Sequence, residues 1–192
     1  MNLYLSGMIG SGKTTIGREL SRRTGMPFTD LDQEMDSRLG YSFHRLVQEK
    51  GWVPFRELEY EICKYFAGLR HTIVCLGGGT VRYEWNRDAI AGTGPVVLLE
   101  ASEETLIARV SKADRPRVNS DTDLAGDIRR MWAEFGDRYR SSADYVVSTE
   151  GRTLEEEVED LLRIMRATPG LAIRKEYEHG SSTDAAPGST GE

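Results

Sequence analysis

Gly7-Met8-Ile9-Gly10-Ser11-Gly12-Lys13-Thr14 satisfies the pattern G-x-x-x-x-G-K-[ST] at every fixed position. Each fixed residue has a physical reason. The loop must wrap backbone N–H groups around phosphate oxygens, and glycine leaves no side chain in the way. A helix after the loop points its positive end and free N–H groups at the same phosphates. Lys13 adds a point charge near the β- and γ-phosphates, and the Thr14 hydroxyl can ligate Mg²⁺. The flanks agree. Leu3-Tyr4-Leu5 reads as an apolar strand, and residues 14–23 read as a helix with Ile16 and Leu20 on one face. Strand, loop and helix together predict a nucleoside triphosphate site, with ATP and Mg²⁺ expected.

Working outward, short apolar runs alternate with helical periodicity, the signature of an α/β chain with a parallel sheet. Strands are expected at 28–31, 72–76, 95–99 and 145–147. Helices are expected at 86–91, 103–110 and 124–140, with several between 33 and 69 broken near Gly40 and Gly51. Leu154, Val158, Leu161, Leu162 and Met165 mark an amphipathic last helix. The fold class is α/β, a P-loop NTPase-type three-layer fold with a central five-stranded parallel sheet and a mobile lid. The expected kinase domain spans 1–168, with the lid at about 111–123. Residues 169–192, rich in Gly, Ser, Thr and acidic residues, read as a flexible tail.

The 192 residues suit one domain. The net charge of −6 argues against a nucleic-acid partner. No apolar run approaches a membrane span, and no leader precedes the first strand, so a cytoplasmic monomer is expected. Cys63 and Cys75 are too few for a disulfide framework, and Cys75 reads as a buried core thiol. The three histidines show no metal or triad spacing.

Four further features carry chemistry. Asp30 and Asp32 alternate at the end of the second strand, so both carboxylates can face the phosphate site. One could hold Mg²⁺ through water and the other could accept a proton from a substrate hydroxyl, while Asp32 could instead cap the next helix. Gly77-Gly78-Gly79 ends the third strand, where open parallel sheets bind ligands. An ordinary flexible turn fits the triplet equally well. Arg115 and Arg117 lie in a polar loop suited to a lid that brings charge and excludes water. Arg56 could bind a carboxylate bidentately, although an ion pair with Glu57 or Glu59 is the simpler local reading.

The ordered set of these motifs resembles the shikimate kinase family from about Asn2 to Met165. The matching residues are Gly7–Thr14, Asp30-Leu31-Asp32, Phe55-Arg56 with Glu59, Gly77–Gly79 and Arg115-Pro116. Trp52–Arg56 and Asn86-Arg87 are similar to the second bacterial isoform. The resemblance implies that Gly10, Ser11, Gly12, Lys13, Thr14 and Thr15 hold the ATP phosphates, with Arg109 near the adenine. It implies Mg²⁺ on Thr14 and Asp30. Asp32 would bind the acceptor hydroxyls and act as base, with Lys13 and Arg115 completing catalysis. Arg56 and the backbone of Gly77, Gly78 and Gly79 would bind shikimate. The implied reaction is phosphorylation of the shikimate 3-hydroxyl by ATP.

One departure stands out. Aligning the family's tyrosine with Tyr139 puts Phe135 where the family carries a second carboxylate-binding arginine. Arg138, one helical step away, is the expected substitute. An apolar ring at 135 keeps a second reading open, a kinase of the same fold acting on another hydroxylated acceptor. A regulatory nucleotide-binding module and a nucleoside monophosphate kinase are further alternatives.

Overall fold

A computed structural model of the chain describes residues 1–112 and 123–171. Five strands form one parallel sheet: β1 (Leu3–Ser6), β2 (Phe28–Asp30), β3 (Ile73–Cys75), β4 (Val96–Glu100) and β5 (Tyr145–Ser148). Their order is β2-β3-β1-β4-β5. β1 pairs with β3 on one side and β4 on the other, so Leu5 lies opposite both Cys75 and Val97.

The helices are α1 (Lys13–Thr24), α2 (Leu31–Leu39), α3 (Phe43–Lys50), α4 (Trp52–Gly68), α5 (Glu84–Ile90), α6 (Glu103–Lys112), α7 (Leu124–Ser141) and α8 (Leu154–Ala167). A 3₁₀ turn at Thr80–Arg82, not foreseen from the sequence, joins β3 to α5.

The central strands are buried on both faces, and their side chains divide by the two-residue period of a strand. Leu3, Leu5, Ile73, Cys75, Val97 and Leu99 pack with α1 and α8. Tyr4, Val74, Leu76, Val96 and Leu98 pack on the opposite face with residues of α2, α4, α5 and α7. This gives the expected three layers. The packing extends to Leu171, which is buried against the α1/α8 side.

Gly17 brings α1 close to the sheet. A Cβ there would meet Phe28 at 2.6 Å and the Cys75 sulfur at 3.0 Å. Cys75 is free and buried, as expected; its thiol donates to the Lys13 carbonyl at 3.1 Å. Burial pushes that thiol well above its ordinary range, so it stays protonated. Among the described residues, no helix is long and apolar enough to cross a membrane.

The second strand is one residue shorter than the sequence suggests. It stops at Asp30, and Leu31 already begins α2. Asp30 is the helix N-cap, with Oδ1 accepting from the N–H groups of Asp32 and Gln33. The carboxylates therefore do not diverge from a strand by alternation, and Asp32 is not the cap. Asp30 is fixed by its capping role, and Asp32 rides in the first turn of α2.

Candidate active site

All five strands run parallel, so their carboxyl ends share one edge of the sheet. β1 leads into the phosphate loop, β2 ends in Asp30, β3 leads into Gly77–Gly79, and β5 leads to Thr149. One cavity of about 680 Å³ opens along this edge.

The nucleotide half of the cavity is built on the phosphate loop. Gly7, Gly10 and Gly12 have φ of 144°, 83° and 92°, which side-chain-bearing residues rarely adopt. A Cβ at Gly7 would also stand 2.6 Å from the Leu99 carbonyl oxygen. Gly10, Gly12, Lys13, Thr14 and Thr15 line the cavity. Ser11 is buried within the loop, and among the described residues its hydroxyl has no hydrogen-bond partner. Lys13 Nζ donates to the carbonyls of Gly7 and Met8 at 2.8 and 3.0 Å, which folds it back across the loop mouth. Arg109, on α6, lines the same half. It donates to the Thr149 hydroxyl and carbonyl at 2.9 and 2.7 Å, which fastens α6 to the turn after β5. Arg152, not singled out in the sequence, also faces this half and pairs with Asp160.

Thr14 Oγ1 donates to Asp30 Oδ2 at 2.8 Å, joining the first turn of α1 to the end of β2. This oxygen pair suits a hard cation that takes its remaining ligands from phosphate and water. Among the described residues, no group of three or more His, Cys, Asp or Glu side chains could hold a metal on its own.

The acceptor half lies across the cavity. Asp32 lines it, and a Cβ at Gly77 would stand 3.3 Å from Asp32 Oδ1. Burial pushes the Asp32 carboxyl up to about 6; repulsion from Asp30 adds to the rise and Lys13 opposes it. Gly78 accepts a hydrogen bond from the Tyr139 hydroxyl through its carbonyl. The glycine turn is thus held to α7 rather than left as a loose connection.

Arg56 pairs with Glu59 at 2.7 Å, but this is no surface pair. Glu59 is 1% exposed. It also accepts from the Thr80 hydroxyl at 2.8 Å and from Asn86 Nδ2 at 3.1 Å. Three donors from α4, the 3₁₀ turn and α5 therefore converge on one carboxylate. The Arg56 guanidinium lies 4.5–5.1 Å from the ring centroids of Trp52, Phe55 and Tyr83. Among the described residues its Nε is buried without a partner.

One expectation comes out differently. Arg138 is exposed, donates to the Arg82 carbonyl at 3.2 Å and does not line the cavity. Its position one step along the helix turns it outward from the pocket. Arg82 lines the cavity instead, although sequence reasoning passed over it. The available signal was a cation three residues past the glycine triplet. Arg115, Arg117 and residues 113–122 of the expected lid lie outside the described residues, as do residues 172–192 of the expected tail.

The shikimate kinase family model matches residues 9–166. The chain belongs to the shikimate kinase family. The shikimate kinase of Chlorobium luteolum is 37% identical over 180 residues, covering 88% of this chain and 89% of that protein. That of Deinococcus radiodurans is 36% identical over 183 residues, covering 93% and 92%. Among solved structures, shikimate kinase from Acinetobacter baumannii in complex with shikimate superposes with a TM-score of 0.81 at 25% identity. It covers 86% of this chain and 93% of its own. Shikimate kinase from Aquifex aeolicus gives 0.74 at 30% identity, covering 87% and 97%. The parallel sheet and phosphate loop are therefore those of the shikimate kinase fold.

Two stability predictions concern the buried carboxylates. Removing Glu59 strands the Arg56 guanidinium, leaves the buried Thr80 hydroxyl without its acceptor and takes one of the two acceptors of Asn86 Nδ2. Glu59→Ala is expected to lower unfolding free energy by roughly 3–5 kcal/mol in urea titrations; a loss under about 1 kcal/mol would mean the network is surface-like. Asp32 acts in the opposite sense. Its folded carboxyl binds a proton more tightly than the unfolded one, so stability falls as pH rises from about 4 through about 6. In nucleotide-free protein with EDTA, Asp32→Asn should be more stable than the parent at pH 8 by about 3 kcal/mol. The gap should close below about pH 4; a gap independent of pH contradicts this.

Proposed function

We propose that this chain transfers the γ-phosphoryl group of ATP to the 3-hydroxyl of shikimate, giving shikimate 3-phosphate and ADP. The observation that carries this reading is a single cavity with a phosphate loop on one side. On the other side stand a carboxylate, Asp32, and a half-buried, aromatic-walled guanidinium, Arg56. A nucleoside monophosphate would need a base pocket in that half. A hydroxylated carboxylic acid needs a proton acceptor and a cation, and those are the groups present.

The phosphates of ATP lie along the loop, received by its backbone N–H groups and the N-terminus of α1. Lys13 leaves the carbonyls of Gly7 and Met8 for the β- and γ-phosphates. Thr14 and Asp30 would hold Mg²⁺ brought with the nucleotide, and the ion would supply charge neutralisation on the phosphate oxygens. Arg109, from α6, borders the adenine. Arg56 binds the acceptor carboxylate, and the backbone of Gly77–Gly79 lets the ring approach the loop. The acceptor hydroxyl oxygen then attacks the γ-phosphorus. The bond from that phosphorus to the β,γ-bridging oxygen breaks, ADP leaves, and the hydroxyl proton passes to Asp32. Much of the acceleration comes from alignment in a closed site.

A coupled ADP-release assay tests the reading. With shikimate and MgATP the enzyme should turn over saturably, and phosphorus NMR should show a single sugar-type phosphate ester on the ring. Asp32→Asn should lower kcat by roughly 10²–10⁴-fold with ATP affinity little changed. Intact ATP binding with near-zero shikimate-dependent turnover in the unaltered enzyme would contradict the assignment.

A further inference from the structure

We propose that Arg82 is the second carboxylate-binding guanidinium of the acceptor site, and that Phe135 is its seat rather than a gap. This rests on the reading of shikimate as acceptor and names the residue that completes its anion site.

The first argument is charge balance. Arg56 is already neutralised by Glu59, and Asp32 adds a further negative charge to the same half of the cavity. Without another cation, an incoming carboxylate would meet a net negative pocket. Arg82 supplies that cation. It lines the cavity, and among the described residues it forms no ion pair with any Asp or Glu.

The second argument is geometry. Arg82 closes the 3₁₀ turn that follows Gly77–Gly79, so its backbone is fixed beside the glycine triplet. Its Nε donates to the Gly79 carbonyl at 3.2 Å. Its guanidinium is pressed so close to Gly79 that a Cβ there would meet Nη2 at 2.4 Å. The guanidinium carbon lies 4.9 Å from the Phe135 ring centroid and 5.8 Å from that of Tyr83. Arg56 lies 4.5 Å from the same Tyr83 ring. Tyr83 thus stands between two guanidiniums. An aromatic face orients Arg82 without consuming its terminal N–H groups, which a carboxylate seat would do. Among the described residues those groups make no hydrogen bond, which leaves them to a bidentate contact.

The roles of Phe135 and Arg138 follow. Phe135 reaches from α7 to present its ring, and Arg138 lies 5.4 Å from that ring while holding the Arg82 carbonyl. Arg138 therefore fastens the turn from outside, and Arg82 presents its charge inside. The guanidinium that the family places on the helix is moved here to the turn after β3, and the helix position becomes its support.

The test is a comparison of two acceptors. Initial rates are measured with shikimate and with its methyl ester, which keeps the hydroxyls and loses the carboxylate charge. Arg82→Ala should raise KM for shikimate by about 10- to 100-fold. KM for ATP and KM for the ester should each stay within about threefold. An equal rise for shikimate and ester, or a KM for shikimate unchanged within about twofold, overturns the assignment. Arg82→Gln, which keeps the stem and one polar head, carries the same comparison should the alanine variant fail to fold. Absence of shikimate turnover in the unaltered enzyme is a different outcome: it overturns the acceptor reading itself, before Arg82 is reached.

Discussion

Parallel pairing of β1 between β3 and β4 is the constraint on which the site depends. Because both neighbours run in the same direction as β1, the phosphate loop, the end of β2 and the glycine turn after β3 all emerge at one edge. The crevice at that edge is where open parallel sheets receive ligands. Two-sided burial of the strands makes the arrangement stiff. Leu5 and Val97 pack toward α1 and α8, and Tyr4 and Leu98 pack toward the other layer, so a one-residue slip would exchange both cores at once. Gly17 then lets α1 sit against the sheet, which aims the helix N-terminus at the loop it follows.

Glu59 is the counterpart on the acceptor side. Its carboxylate gathers Arg56, Thr80 and Asn86, and so ties α4 to the turn after β3 and to α5. The same turn carries Arg82 and is held from α7 by Tyr139 through Gly78. Acceptor specificity is therefore a property of a small buried network. The cations face the cavity because their own partners fix them from behind.

The phosphate loop was legible in the sequence because its chemistry tolerates few substitutions: Gly7, Gly10 and Gly12 need backbone angles or clearances that other residues do not offer. The central strands were legible because two-sided burial leaves continuous apolar runs. The Asp30/Asp32 pair was found for a partly mistaken reason. Both residues line the site, but through a helix cap at Asp30 rather than strand alternation, a choice that turns on where a three-residue strand stops. Arg56 looked locally like a surface ion pair, since nothing nearby in sequence reveals that Glu59 is buried by residues some 20 to 30 positions on. Arg82 was missed and Arg138 preferred for the same reason. Helical spacing is visible in a sequence, whereas the approach of a turn to Phe135 across the fold is not.

The central claim is that one cavity brings a nucleotide and a hydroxylated carboxylic acid together, with Asp32 at the hydroxyl and Arg56 at the carboxylate. A crystal structure of the enzyme with ADP and shikimate tests it most directly. The account predicts the 3-hydroxyl within about 3 Å of an Asp32 oxygen and the carboxylate within about 3 Å of Arg56 nitrogens, with the ADP phosphates in the Gly7–Thr14 loop. Shikimate bound with its carboxylate turned away from Arg56, or with another hydroxyl facing Asp32 and the phosphates, would contradict it.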